Sequence, residues 1–84
     1  MEYFIDAEQL MDKETSHSYL KSIFNFPEYY GNNLDALYDS LSELDDCTVW
    51  FENIENAGAY FNTIYTVFAE VSDDMENIVI QGTR

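Results

Sequence analysis

The sequence predicts an α/β fold: a two-layer sandwich in which a three-stranded parallel sheet carries three to four helices packed on one face. Three short apolar runs of strand character, Tyr3-Phe4-Ile5, Cys47-Thr48-Val49-Trp50-Phe51 and Ile78-Val79-Ile80, alternate with longer stretches of helical periodicity. The resulting order is strand, two helices, strand, helix, strand, and right-handed crossovers can then set every helix on the same side of a parallel sheet. Size agrees. The chain has 84 residues, 46% hydrophobic and 17% aromatic, which suits one domain over residues 1–84 with a core built from large side chains.

The second and third runs are continuous rather than alternating, as expected for strands flanked within a parallel sheet and covered on at least one face. Trp50 inside the second run is read as a core residue. Cys47 at its edge is the single cysteine, which rules out an intramolecular disulfide. It is read as reduced and buried, with no neighbouring histidine to make it a nucleophile.

Between the strands, residues 13–24 carry Leu20, Ile23 and Phe24 behind Asp12 as N-cap. Pro27 disfavours helix at Phe26, so this first helix should end there. Residues 33–43 form a second helix, capped by Asn32 or Asn33, with Leu34, Leu37, Leu41 and Leu44 spaced by threes and fours. Residues 57–72 form a third, carrying Phe61, Ile64, Phe68 and Val71, with a break expected near Asn62-Thr63. Between the first two helices, Phe26 to Asn33 is the one obvious loop.

Charge narrows the function. Net charge is −14, and the basic residues are Lys13, Lys21 and Arg84 alone. Residues 22–83 contain twelve Asp and Glu and no Lys or Arg, so these carboxylates have no cation nearby in sequence. Such a balance repels nucleic acid and anionic membranes and draws in cationic partners, although acidity can also serve solubility alone. No run approaches the roughly 20 apolar residues of a membrane span, and the opening Met1-Glu2-Tyr3-Phe4-Ile5-Asp6 lacks signal-peptide character, so a cytoplasmic protein is expected.

Catalytic and cofactor chemistry find little support, and no cofactor, metal or catalytic residue is expected. His17 stands without a Cys or second His at metal-ligand spacing and is read as a surface residue of the first helix. Asp45-Asp46 and Asp73-Asp74 lack the ligand spacing and turn glycine of a calcium loop and read as helix-end or turn acids. No glycine-rich phosphate loop occurs. A glycosidase with paired carboxylates would need a sugar cleft that so small a sandwich hardly accommodates.

The second helix holds the informative constellation. At about 100° per residue with Leu34 at zero, Leu37, Leu41 and Leu44 fall within one stripe, near 300°, 340° and 280°. Asp35, Asp39 and Glu43 fall near about 100°, 140° and 180°, a separate ridge, with Tyr38 and Ser42 between ridge and stripe. Asp35 lies in the first turn, where the helix dipole favours it. Asp39 lies mid-helix, where Asp is a poor helix former, with a carboxylate four residues away on each side. Each like-charge pair costs about 0.2–0.5 kcal/mol. A ridge that opposes stability without local compensation points to a partner, although a merely solvated face has the same composition. Tyr29 and Tyr30 beside Gly31 set aromatic surface next to it, a combination suited to His and Arg side chains. Tyr30 is the member of the pair expected in the core.

The segment Pro27-Glu28-Tyr29-Tyr30-Gly31-Asn32-Asn33-Leu34-Asp35-Ala36-Leu37-Tyr38-Asp39-Ser40-Leu41 resembles the signature of the barstar family, intracellular inhibitors of barnase-type ribonucleases. Weaker similarity extends over nearly the whole chain: the first strand, Val49-Trp50-Phe51-Glu52, Val67-Phe68-Ala69-Glu70 and the last strand. The resemblance implies a barstar-like sandwich and a non-enzymatic, acidic inhibitor of a basic ribonuclease, binding one to one. It implies that Asp39 fills the enzyme's phosphate site, Asp35 meets neighbouring donors, and Tyr29 packs on the catalytic histidine. Gly31, Asn33, Tyr38 and Ser42 match supporting contacts, and Glu70 a peripheral acid. Departures surround these anchors: Tyr38 and Leu44 replace tryptophans, Thr48 a proline, and the region before the last helix is shorter. They imply a different cognate enzyme, whether a secreted ribonuclease or a toxin against which the chain confers immunity. Alternatives are an acidic binding module or immunity protein for another basic protein or nuclease, and a nucleic-acid mimic. A mimic would spread acids at phosphate-like spacing, whereas here they gather beside an aromatic loop.

Overall fold

Three strands, Glu2–Asp6 (β1), Cys47–Glu52 (β2) and Ile78–Thr83 (β3), form one parallel sheet in the order β1-β2-β3 in a computed structural model that describes residues 1–83. The central β2 pairs Phe4 with Trp50 on one side and Val49 with Ile80 on the other. Three helices connect the strands: Lys13–Phe24 (α1), Leu34–Ser42 (α2) and Phe61–Met75 (α3). Each crossover steps to the adjacent strand in the same direction, so right-handed connections set the helices on one face. This is the two-layer α/β sandwich expected. Single 3-10 turns at Ala7–Gln9 and Ile54–Asn56 extend the two strand ends, and the continuous apolar patterning gives no sign of them.

The caps are local chemistry. Asp12 Oδ accepts from Thr15 N at 2.7 Å, and Asn33, rather than Asn32, accepts from Ala36 N at 2.7 Å. Asn25 closes α1 in the left-handed region at φ 56°, one residue ahead of the expected end. The third helix starts at Phe61, not residue 57, and runs unbroken through Asn62-Thr63 to Met75. Residues 57–60 are instead held from outside: Gly58 N donates to Ala7 O and Tyr60 N to Leu10 O, both at 3.0 Å. Gly58 lies so close to this neighbour that a Cβ would fall 2.3 Å from the Leu10 carbonyl oxygen. Backbone approach at that distance admits glycine alone.

The core lies between the sheet's inner face and the helices. Ile5, Val49, Phe51 and Ile78 meet Leu20, Leu37, Leu41, Ile64, Phe68 and Val71, all buried. Phe68 touches Phe51 edge-on at 5.3 Å, and Phe24 stacks on Phe26 at 5.5 Å, contacts that add to simple burial. Cys47 is buried and free, and Tyr30 is buried, both as expected.

Two expectations need correction. Trp50 is not core. Burial alternates along β2, with Cys47, Val49 and Phe51 facing in, while Thr48, Trp50 and Glu52 face out and remain half-buried. Trp50 lies across the outer face, stacked near Phe4 and donating from Nε1 to Glu2 Oε2 at 2.9 Å. An unbroken apolar run conceals the period of two that a one-sided sheet imposes. His17, expected on the surface, is fully buried. It stands three residues before Leu20 and seven before Phe24, on the apolar stripe of α1. Its Nδ1 is joined to the Tyr30 hydroxyl at 2.6 Å, and Tyr60 meets the ring edge-on.

Burial pushes the His17 pKa below its ordinary value, and the nearby Lys13 ammonium acts in the same direction. The folded protein thus holds a neutral imidazole where the unfolded chain takes up a proton. This contribution to stability is present above the ordinary pKa of about 6.5 and is lost as pH falls below it toward the folded value. Denaturant melts should show the parent losing stability relative to His17→Gln between about pH 7.5 and pH 5.5. A stability difference that stays constant over that window would contradict it. The helix α2 supplies a second test. Leu37 is fully buried, so Leu37→Ala should cost about 2–5 kcal/mol by opening a cavity, while exposed Asp39→Ala should leave stability unchanged or slightly raised. If the same melts show Asp39→Ala to be the more damaged, the acidic ridge is structural.

Candidate functional site

Helix α2 divides as its angular positions require. Leu37 and Leu41 are buried, Leu34 and Leu44 pack partly against the core, and Asp35, Asp39 and Glu43 are exposed on the outer side. Both ends of the helix are tied. At the N-terminus Asn33 caps through Oδ1 and donates from Nδ2 to Gly31 O at 3.2 Å. At the C-terminus Asn77 Nδ2 donates to the carbonyls of Leu41 and Leu44, each at 2.9 Å, adding a side-chain donor where the backbone ladder of the helix runs out. These bonds fix the helix to its loop at one end and to the α3–β3 turn at the other.

The ridge runs between two depressions. On one side a groove of about 440 Å³ separates α2 from α3, lined by Leu34, Asp35, Tyr38, Thr63, Thr66, Val67 and Glu70. It brings Asp35 and Tyr38 together with Glu70, the one expected site residue on another helix. On the other side a smaller hollow of about 230 Å³ sets Tyr29 and Pro27 against Ser40, Glu43 and Leu44. The loop therefore reaches both ends of α2. Gly31 sits at the first turn, where a Cβ would come within 3.3 Å of Ala36 Cβ, and Tyr29 sits at the last. Tyr29 is 88% exposed, an aromatic ring offered to solvent, while its neighbour Tyr30 anchors the loop through His17.

The sequence-predicted residues thus separate by what they do in the free protein. Asp35, Asp39, Tyr29 and Glu70 present exposed side chains. Asn33 and Gly31 hold the loop to the helix. Ser42 donates its hydroxyl proton to the Tyr38 carbonyl at 2.7 Å. Tyr38 bridges to α3, its hydroxyl donating to Asp74 Oδ2 at 2.6 Å. That hydrogen bond pushes the phenol pKa above its ordinary value, and the charges of Glu70 and Asp39 act the same way. Asp74, read from the sequence as a turn or helix-end acid, thereby joins the site. Its partner lies 36 residues away, a separation that no local pattern reveals.

Electrostatically the face is one-signed. Among the described residues the single ion pair is Lys21 with Glu28 at 3.9 Å, and none reaches the ridge. Lys13 shares a shallow depression with Asp35 without pairing with it. Among the described residues no group of His, Cys, Asp and Glu is arranged to hold a metal ion, and no helix is long and apolar enough to cross a membrane. What the surface offers is a row of hydrogen-bond acceptors with an aromatic ring at one end and an acid-lined groove alongside.

Comparison with known proteins accords with this arrangement. A Bacillus subtilis (strain 168) protein named "Putative ribonuclease inhibitor YrdF" is 33% identical over 79 aligned residues, covering 87% of each chain. The family model described as Barstar (barnase inhibitor) matches residues 1–81, which takes in all three helices and nearly the whole sheet. With that match over the site and the fold alike, the chain belongs to the barstar family.

Proposed function

We propose that this protein inhibits a basic microbial-type ribonuclease by setting the acidic face of α2 and the Tyr29 loop into the enzyme's active-site cleft, one inhibitor to one enzyme. The observation that carries the proposal is the row Asp35, Asp39, Glu43: on the outer side of α2, without an ion pair among the described residues, and held rigidly at both helix ends in a chain of an inhibitor family. A cleft that binds a phosphodiester converges Arg, Lys and His donors on one point. Asp39, in the middle of the ridge, enters as the phosphate substitute, and Asp35 engages a neighbouring donor one turn away. Tyr29 covers the catalytic imidazole with its exposed ring. Glu70 acts from the far wall of the groove.

Two expected outcomes follow from the charge and the geometry. Association with the basic, barnase-type ribonuclease that the protein inhibits should slow steeply as ionic strength rises past about 0.15 M, where the Debye length is about 8 Å. Steering of this kind is established for the barnase–barstar pair itself, and that pair sets the scale expected here. Stopped-flow rates at several salt concentrations measure it, and a salt-independent rate would contradict it. Alanine replacement should weaken binding most at Asp39, by about 2–5 kcal/mol or more, since the enzyme's cations lose their counter-charge, again on the scale of the family's prototype pair. Asp35 and Tyr29 follow, and Glu70 at the rim loses about 1 kcal/mol or less. Binding constants at one salt concentration test the order; Glu70→Ala failing while Asp39→Ala binds like the parent would refute it.

A further inference from the structure

Tyr38, which lines the acidic groove, meets Asp74 of α3 at 2.6 Å. A phenol carries one proton to donate and lone pairs with which to accept, whereas an ionised carboxylate only accepts. The bond to Asp74 therefore commits the phenolic proton, and what Tyr38 has left for any partner is an acceptor oxygen. Three of its neighbours in the groove are alike. Asp35 and Glu70 line the same groove as carboxylates, and Thr66 has spent its hydroxyl proton on the Asn62 carbonyl at 2.8 Å. Four lining side chains thus present acceptors along one wall or the other. Without Asp74 the phenol could rotate its proton outward and offer a donor instead.

We propose that Tyr38 and Asp74 form one specificity-determining unit: Asp74 accepts the phenolic hydrogen bond, so that Tyr38 presents an acceptor and selects a ribonuclease surface with an N–H or cationic donor opposite it. The inference rests on the ribonuclease-inhibitor reading and adds to it a residue, Asp74, whose action is exerted through another. Two physical effects make the unit selective. A surface offering an acceptor at that point would leave two acceptors facing each other, which disfavours the wrong partner. Holding the ring in place beforehand also removes part of the ordering that binding would otherwise require.

The test measures inhibition of a barnase-type ribonuclease that the parent inhibits, at about 0.5 M salt, where the long-range contribution of the Asp74 charge is largely screened. Tyr38→Phe and Asp74→Ala should each weaken binding about 3- to 10-fold, the scale of one net hydrogen bond. The double variant should lose no more than either single one, because both remove the same unit. Asp74→Asn keeps an oxygen that accepts the phenolic proton and should recover most of what Asp74→Ala loses. Melts confirm that each variant is folded, and the retained affinity of Asp74→Asn reads the unit independently of any loss of structure. Additive losses, a Tyr38→Phe variant that binds like the parent, or an Asp74→Asn as weak as Asp74→Ala would each overturn the proposal. If the parent inhibits none of a panel of basic, barnase-type ribonucleases, the ribonuclease reading falls and this inference with it; if the parent inhibits one and the variants match it, only this inference falls.

Discussion

Helix α2 has to serve the core and the solvent face at once within the nine residues Leu34–Ser42, and the arrangement of the molecule around it answers that constraint. Its leucine stripe is narrow, with Leu37 and Leu41 alone fully buried. A short helix with carboxylates spaced by four along its outer side gains little from its own sequence, since each like-charge pair works against it. Stability has to come from elsewhere. It comes from tertiary burial of the leucines against α3 and the sheet, from Asn33 at one end and from Asn77 at the other. The acids can then stand unneutralised because the helix does not rely on them.

The loop ahead of α2 is held on the same principle, with one residue anchored so that its neighbour can be free. Tyr30 is buried against His17, Phe26 and the core, and Asn32 takes the left-handed region at φ 52° to turn the chain into the helix. Tyr29 is left almost wholly exposed beside Ser40 and Glu43. An exposed aromatic ring and an unneutralised acidic ridge are both unfavourable in isolation, and in one place they make a surface suited to a cationic, donor-rich cleft. The hydrogen bond from Tyr38 to Asp74 closes the other side by tying α2 to α3 beside Glu70. Tyrosine at position 38, where the family resemblance leads one to expect tryptophan, is what leaves an acceptor beside that bond: an indole N–H donates, but leaves no acceptor behind.

Much of this is legible in the sequence because it is written in local spacing. The leucines and acids of α2 separate by helical angle alone, and Asp12 and Asn33 are cap residues placed just ahead of apolar stripes. The strand order follows from runs and periods. What escapes depends on contacts distant in sequence. His17 reads as polar and solitary until Tyr30, thirteen residues later, supplies a partner for its ring nitrogen. Trp50 reads as core because a run of apolar residues does not say which of them face outward. The start of α3 falls later than periodicity suggests because Gly58 and Tyr60 are held by Ala7 and Leu10, far earlier in the chain. Asp74 reads as a turn acid for the same reason. The groove also sets Glu70 beside Asp35 and Tyr38, a placement that helical spacing within α3 alone does not reveal.

The central claim is that Asp39 and its neighbours occupy the site where the ribonuclease holds a phosphate. The most direct test is competition. A barnase-type ribonuclease that this protein inhibits is titrated with it by calorimetry in the presence of increasing concentrations of a mononucleotide bound in the enzyme's active site. The apparent affinity for the protein should fall in proportion to nucleotide occupancy, with no ternary complex formed. An affinity that does not change as the active site fills with nucleotide would place the contact elsewhere on the enzyme and contradict the account.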